Sequence, residues 1–181
     1  MLFSTVVYAA LAQSLSASAA MMQVTVAANN KFTFTPNSVT AQPGDIVAFS
    51  FVGQNHSVAS SKPNTPCQPE RNAIFSDFQP IPGNPNANPK PPNGNTPTFM
   101  VPITDTQPMY IYCSQAQHCQ QGMVMVINPP NGGAVQYYTQ KAAQANNNVS
   151  PRGGLSGGQM INDRAGTNPR NVLGGQAGDA A

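Results

Sequence analysis

From Gln23 onward, apolar and polar residues alternate with a period of two. Val24 and Val26 flank Thr25, Phe32 and Phe34 flank Thr33, Val39 follows a turn, and Ile46-Val47-Ala48-Phe49-Ser50-Phe51 is a longer, largely apolar run. That period puts successive side chains on opposite faces, as short half-buried strands require. Asn29-Asn30, Pro36-Asn37 and Pro43-Gly44-Asp45 supply turn chemistry between the runs. Three more strands read downstream, Thr98-Phe99-Met100-Val101, Met109-Tyr110-Ile111-Tyr112 and Met123-Val124-Met125-Val126-Ile127. Strands with no helical repeat between them predict an all-β antiparallel sandwich or barrel.

Two stretches break the alternation. Pro80 to Asn95 carries too many prolines to donate ladder hydrogen bonds and reads as an exposed, semi-extended loop. After Pro129-Pro130, residues 131–146 are expected to hold one short C-terminal helix from Ala134 to Ala145, with Val135, Tyr138, Ala142 and Ala145 near one face. Residues 147–181 are rich in Asn, Gly and Ser and almost free of large apolar groups, which predicts a disordered tail.

The N-terminal run Met1 to Leu11 is apolar, and the small residues that follow suit a signal-peptidase cut near Ala19 or Ala20, so residues 1–20 are assigned as a signal peptide. Residues 21–130 then form the one folding unit, of about 110 residues. No second apolar run approaches the roughly 20 residues of a membrane span, and the tail has no hydrophobic anchor segment. A secreted, extracellular protein is expected, with the cell wall as a place of association. Eight Lys or Arg against six Asp or Glu in 181 residues leave a net charge of +2, far from the basic stripe that nucleic-acid binding needs. Eighteen Pro and fifteen Gly exclude a mostly helical chain.

Outside the cell paired cysteines oxidise, so the three in this chain, Cys67, Cys113 and Cys119, leave one over. It is a free reactive thiol, an intermolecular bridge or a metal-bound thiolate. The only two histidines, His56 and His118, bear on that choice. Cys113, His118 and Met123 share one loop between two predicted strands, Cys113-Ser114-Gln115-Ala116-Gln117-His118-Cys119-Gln120-Gln121-Gly122-Met123. A thiolate, an imidazole and a thioether on one loop, with a second imidazole from elsewhere, are the parts of a trigonal His₂Cys copper site with a weak axial Met. Copper suits this set because Cu(I) favours sulfur while Cu(II) accepts imidazole. Met125, two residues along the same strand face, competes with Met123 for the axial role.

The chain here resembles the cupredoxins, specifically their phytocyanin-like branch and its secreted fungal relatives. The matching pieces are Pro43-Gly44-Asp45-Ile46-Val47-Ala48-Phe49, Asn55-His56-Ser57-Val58, Phe75-Ser76-Asp77-Phe78 and Tyr112-Cys113 through His118-Cys119 to Gly122-Met123. The resemblance implies a Greek-key β-sandwich, one type 1 copper ion held by His56, Cys113, His118 and Met123, and a disulfide between Cys67 and Cys119. A Cys113–Cys67 pair, leaving Cys119 free, is the competing arrangement. Asn55, next to the first ligand, is expected to reach across to the loop at Ser114 and steady it. Asn55-His56-Ser57 and Asn148-Val149-Ser150 are both formally glycosylation sequons.

The expected function is one-electron transfer between an unidentified redox partner protein or small reductant and an acceptor, by a monomer that is not an enzyme. A multicopper oxidase needs more histidines than two, and structural zinc usually brings a Cys-x-x-Cys pair that this chain lacks. Extracellular copper buffering or delivery, and a cell-wall or matrix interaction role on the same scaffold, are the alternatives.

Overall fold

The computed structural model describes residues 19–81 and 96–162. The assigned signal peptide (all but its last two residues), most of the Pro- and Asn-rich loop and the last nineteen residues of the tail lie outside the described residues. In chain order the elements are β1 (Met21–Val26), β2 (Phe34–Thr35), β3 (Ser38–Val39), β4 (Ile46–Phe51), β5 (Gln54–His56), β6 (Ala59–Lys62) and β7 (Thr65–Pro69). They continue with β8 (Gln79–Ile81), β9 (Pro97–Pro102), β10 (Met109–Tyr112), β11 (Val124–Ile127), α1 (Ala134–Ala143) and β12 (Gln159–Asn162).

Ten strands form two five-stranded sheets, in the orders β12-β9-β4-β1-β2 and β3-β11-β10-β6-β7, while β5 and β8 make a separate two-stranded ribbon. The core lies between the large sheets and follows the period-two pattern. Val47, Phe49 and Phe51 of β4 meet Ile111 of β10 and Met125 and Ile127 of β11 in one buried cluster. The alternate residues Ile46 and Ala48 join Met100 on the outer face of the first sheet. On the outer face of the second sheet, Tyr110, Tyr112, Val124 and Val126 lie under α1, whose Tyr138 and Ala142 are fully buried. The helix expected from Ala134 ends at Ala143, two residues early.

The sandwich is mixed rather than wholly antiparallel. β1 pairs with β4 in parallel from Met21↔Ile46 to Val26↔Phe51, and β3 pairs with β11 in parallel at Val126↔Ser38 and Ile127↔Val39. Between β1 and β4 the chain visits the opposite sheet at β3, so it re-enters the first sheet from the end at which β1 began. β5, β6 and β7 escape the sequence pattern because they are polar. Ser60 and Ser61 of β6 are buried yet bonded, Ser60 Oγ accepting from the Ile74 amide at 3.1 Å and Ser61 Oγ sharing a 2.6 Å hydrogen bond with the Tyr138 hydroxyl. Pro80 and Ile81, expected in the proline-rich loop, belong to β8 and pair with Asn55 and Gln54.

The expectation of disorder from residue 147 is overturned as far as Asn162. β12 adds antiparallel to β9, from Gln159↔Met100 to Asn162↔Pro97, and Phe75 exchanges backbone hydrogen bonds with Ser156 at 2.8 and 2.9 Å. Low apolar content misleads here because the segment is ordered by the hydrogen bonds of an open sheet edge. Its glycine content reflects close packing as well: a Cβ on Gly158 would stand 2.6 Å from both the Met100 carbonyl oxygen and the Phe99 ring.

Candidate metal centre

Cys113 follows directly on β10, and the alternation of that strand carries its side chain inward with Ile111 while Tyr110 and Tyr112 point toward α1. The loop that follows is closed by its own backbone. The Cys113 amide donates to the Met123 carbonyl at 3.1 Å, the Met123 amide to the His118 carbonyl at 2.9 Å, and the His118 amide to the Gln115 carbonyl at 2.9 Å. Three of the four expected ligand residues are thus tied by main-chain bonds before any side chain is considered. Gly122, at φ +92°, makes the turn into Met123 in a conformation that other residues enter only with strain. His56 arrives from outside the loop, at the end of β5, whose pairing with β8 aligns it with Gln79.

The structure brings His56, Cys113 and His118 together, all buried. Nδ1 of His56 stands 3.7 Å from Cys113 Sγ, Nδ1 of His118 stands 3.5 Å from it, and the two Nδ1 atoms are 3.2 Å apart. Three donors each about 2.0 to 2.3 Å from a shared centre, the range for nitrogen and sulfur on a first-row ion, stand about 3.5 to 4 Å apart in a trigonal plane. Two observed edges fall in that range and the Nδ1–Nδ1 edge is slightly shorter, so the triangle is close to the size of a metal's first coordination sphere, and one soft and two borderline donors suit a thiophilic transition metal. Met123 is fully buried in the same apolar cluster as Cys113, and so is Met125. Of the two, only Met123 is bonded through its backbone to both Cys113 and His118.

Burial sets the protonation of the donors. It holds the His56 imidazole down at about pKa 4, helped by the charge of His118, and it lowers His118 as well, so both rings are neutral at pH 7. Burial pushes the Cys113 thiol up, against the opposing pull of the Ser57 and Gln115 amides and the Ser57 hydroxyl. A thiolate at this position needs a cation beside it.

Sequence reasoning missed Ser57 and Phe32. The Ser57 amide donates to Cys113 Sγ at 3.4 Å and its hydroxyl lies 3.9 Å from the same sulfur. That hydroxyl also accepts from the Ser114 amide at 2.9 Å and shares a 2.8 Å hydrogen bond with the Ser114 hydroxyl. The tie to Ser114 expected of Asn55 therefore belongs to Ser57, and Asn55 Nδ2 donates instead to Gln115 Oε1 at 3.3 Å. Phe32 stacks on the His118 ring, centroids 3.9 Å apart and planes 22° apart, and meets His56 edge-on at 6.0 Å. Its alternation with Phe34 signals an inward-facing aromatic but not which ring it covers.

The arrangement of the sulfurs follows the resemblance. Cys67 and Cys119 form a disulfide across a sequence separation of 52, leaving Cys113 as the free, buried thiol. His118 and Cys119 diverge, one into the donor triangle and the other into the cluster under α1.

No protein-family model matches the chain. Over 136 residues it is 38% identical to a protein of Arthroderma benhamiae named probable GPI-anchored cupredoxin-1, a match that covers 75% of this chain and 66% of that one. It is also 36% identical over 130 residues to an extracellular serine-rich protein of the same organism, covering 69% of this chain and 47% of the relative. The chain thus spans about two thirds and about half of the lengths of these relatives. Among solved structures, reduced auracyanin of Roseiflexus castenholzii is similar with a TM-score of 0.39 at 14% identity, covering 62% of this chain and 97% of that one. The likeness first read from the loop between Cys113 and Met123 extends over most of the sequence, and the chain belongs to the cupredoxin family.

Proposed function

We propose that the protein is an extracellular electron carrier in which His56, Cys113, His118 and Met123 hold a single type 1 copper ion. The observation that carries this reading is the buried triangle of two imidazole Nδ1 atoms and one thiol sulfur, with edges of 3.2, 3.5 and 3.7 Å. Copper bound there supplies a one-electron couple, and its bond to the thiolate supplies intense visible absorption. His56 and His118 offer neutral nitrogens at pH 7, and Cys113 gives up its proton to become the third donor. Met123 provides the weak fourth, thioether contact, chosen over Met125 because its backbone is bonded to both loop ligands. Ser57 donates to the sulfur from its amide and steadies the charge the thiolate carries.

The loop's own hydrogen bonds hold the donors in one arrangement, so little has to move when an electron arrives or leaves. His118, 8% exposed where His56 and Cys113 are fully enclosed, is the donor that reaches toward the surface, beneath Phe32. The Cys67–Cys119 disulfide and the names of both relatives support an extracellular or cell-surface setting. Among the described residues no helix is long and apolar enough to cross a membrane.

The test is direct. Metal-free protein titrated with Cu(II) is expected to develop an intense visible thiolate-to-copper band that saturates at one equivalent, and Cys113→Ser is expected to abolish it. A colourless one-to-one complex of the wild type would exclude the thiolate as a ligand. Copper surrendered to a chelator faster than electrons exchange between molecules would make the protein a delivery module instead.

A further inference from the structure

The segment after α1 lies over the first half of the loop and bonds to it residue by residue. The Val149 amide donates to the Cys67 carbonyl at 2.8 Å, and the Val149 carbonyl accepts from the Tyr112 hydroxyl at 2.6 Å. These two bonds fix the segment between the disulfide and β10, which ends one residue before Cys113. On either side of Val149, the flanking side chains enter the loop. Asn148 Nδ2 donates to the carbonyls of Cys113 at 3.0 Å, Ala116 at 2.9 Å and Gln115 at 3.4 Å. Ser150 Oγ donates to Ser114 Oγ at 2.9 Å.

We propose that Asn148 and Ser150 are positioning residues of the metal centre, and that the sequon they form is a strap across the ligand loop and not a glycan acceptor. The proposal rests on the reading of His56, Cys113, His118 and Met123 as a copper site.

Three carbonyl oxygens converging on one point repel one another unless a donor stands between them. The Asn148 amide supplies it, and the opposite orientation would set Oδ1 against all three. Oδ1 itself is buried with no hydrogen-bond partner among the described residues, so the side chain is held through its donors alone. Two of the three carbonyls bear on the ligands. That of Cys113 belongs to a ligand residue, and that of Gln115 also accepts the His118 amide. The third belongs to Ala116, held at φ +42°, a left-handed conformation unfavourable for alanine.

Ser150 acts by a second route. Its hydroxyl donates to Ser114, whose hydroxyl shares a hydrogen bond with Ser57, whose hydroxyl in turn points at Cys113 Sγ. Three hydroxyls in line, each donating to the next, polarise one another and deliver a stronger donor to the sulfur than a lone serine would. Hydrogen bonding around the cysteine sulfur is one of the levers on the potential of such a site. A glycan on Asn148 Nδ2 has no room among the three carbonyls.

The full chain, as Asn148→Ala, Asn148→Asp and Ser150→Ala variants beside wild type, decides this with and without copper. In the metal-free protein, Asn148→Ala is expected to speed amide exchange of Ser114 and His118 at least about fivefold, the factor for one lost hydrogen bond, while amides of β4 and β9 stay unchanged. Asn148→Asp, which sets negative oxygens against the carbonyls, is expected to speed it further. Unchanged exchange, or acceleration spread evenly over the sandwich, overturns the strap. With copper bound, Ser150→Ala is expected to lower the reduction potential and shift the thiolate band, because an electron-richer sulfur favours Cu(II). An unmoved potential overturns the role of Ser150. A glycan found on Asn148 of the secreted protein overturns the strap outright. If wild type takes up no copper, the reading of the site fails, and the metal-free exchange comparison still decides whether the strap orders the loop.

Discussion

If copper binds at the proposed site, the burial of the donors sets how many protons it releases. At pH 7 the ligands must be two neutral imidazoles and one thiolate. With its pKa held at about 4, roughly one His56 ring in a thousand carries a proton at pH 7. His118 is lowered in the same direction by its burial, so it too favours the neutral form. Burial raises the Cys113 thiol above its ordinary range, so it starts fully protonated and must lose one proton. The expected release is about one proton per ion at pH 7, rising as pH falls to at least about one and a half near pH 4, where His56 is half protonated. Calorimetric titration of the metal-free protein with Cu(II), in two buffers of different ionisation enthalpy, measures the count. Cys113→Ser is expected to release none. A wild-type release of zero at pH 7 would mean a thiolate already formed, and a release of two would mean an imidazole still charged; either refutes the argument from burial.

The same burial makes the metal-free protein acid-sensitive. Because the folded pKa of His56 lies below its unfolded value of 6.5, stability is fully present above pH 6.5 and is lost as pH falls toward about 4, by at most about 3 kcal/mol before solvent screening lowers it. Urea midpoints of metal-free protein at pH 7.5 and 4.5 check the sign, and a midpoint that rises on acidification contradicts it. Replacing Cys67 and Cys119 together by alanine frees a loop with a sequence separation of 52 and is expected to cost about 4 kcal/mol of stability in urea unfolding. A loss below about 1 kcal/mol would mean that the unfolded chain is not the state the disulfide restrains. Gly122→Ala tests the turn into Met123: the added Cβ meets only the Thr139 methyl at 3.8 Å, so the expected loss of about 1 to 2 kcal/mol comes from φ +92° alone. An unchanged melting temperature would show that the loop relaxes around residue 122.

How much of this was legible depended on which force orders each segment. β4 reads correctly because apolar burial orders it, with Val47, Phe49 and Phe51 facing the core and Ile46 and Ala48 facing outward. Three of the four expected donors, His56, Cys113 and His118, could be picked out before they were seen to converge because such chemistry is confined to few residue types, and two histidines leave little choice. Even the side to which Cys113 points follows from the parity of β10. Ser57 was not legible. Serine occurs everywhere on protein surfaces, and nothing in its neighbourhood announces that its amide and hydroxyl both meet a sulfur 56 residues away.

The segment from Asn147 to Asn162 fails for a related reason, and its failure bears on the site. Composition measures how much apolar surface a segment can bury, and by that measure this one has little. A folded sandwich offers a second source of order, unpaired backbone groups on its sheet edges and on its loops, to which any sequence with a free amide and enough small residues can bond. β12 uses the edge of β9 in this way, and Gly158 allows the close approach. Asn148 uses the carbonyls of the ligand loop. Asn, Gly and Ser lower the apolar content, and they are also the residues best able to donate side-chain hydrogen bonds or to approach a neighbouring backbone. The composition that signals disorder in isolation is therefore compatible with order beside a preformed β-sandwich, and the distinction lies in the partner rather than in the segment.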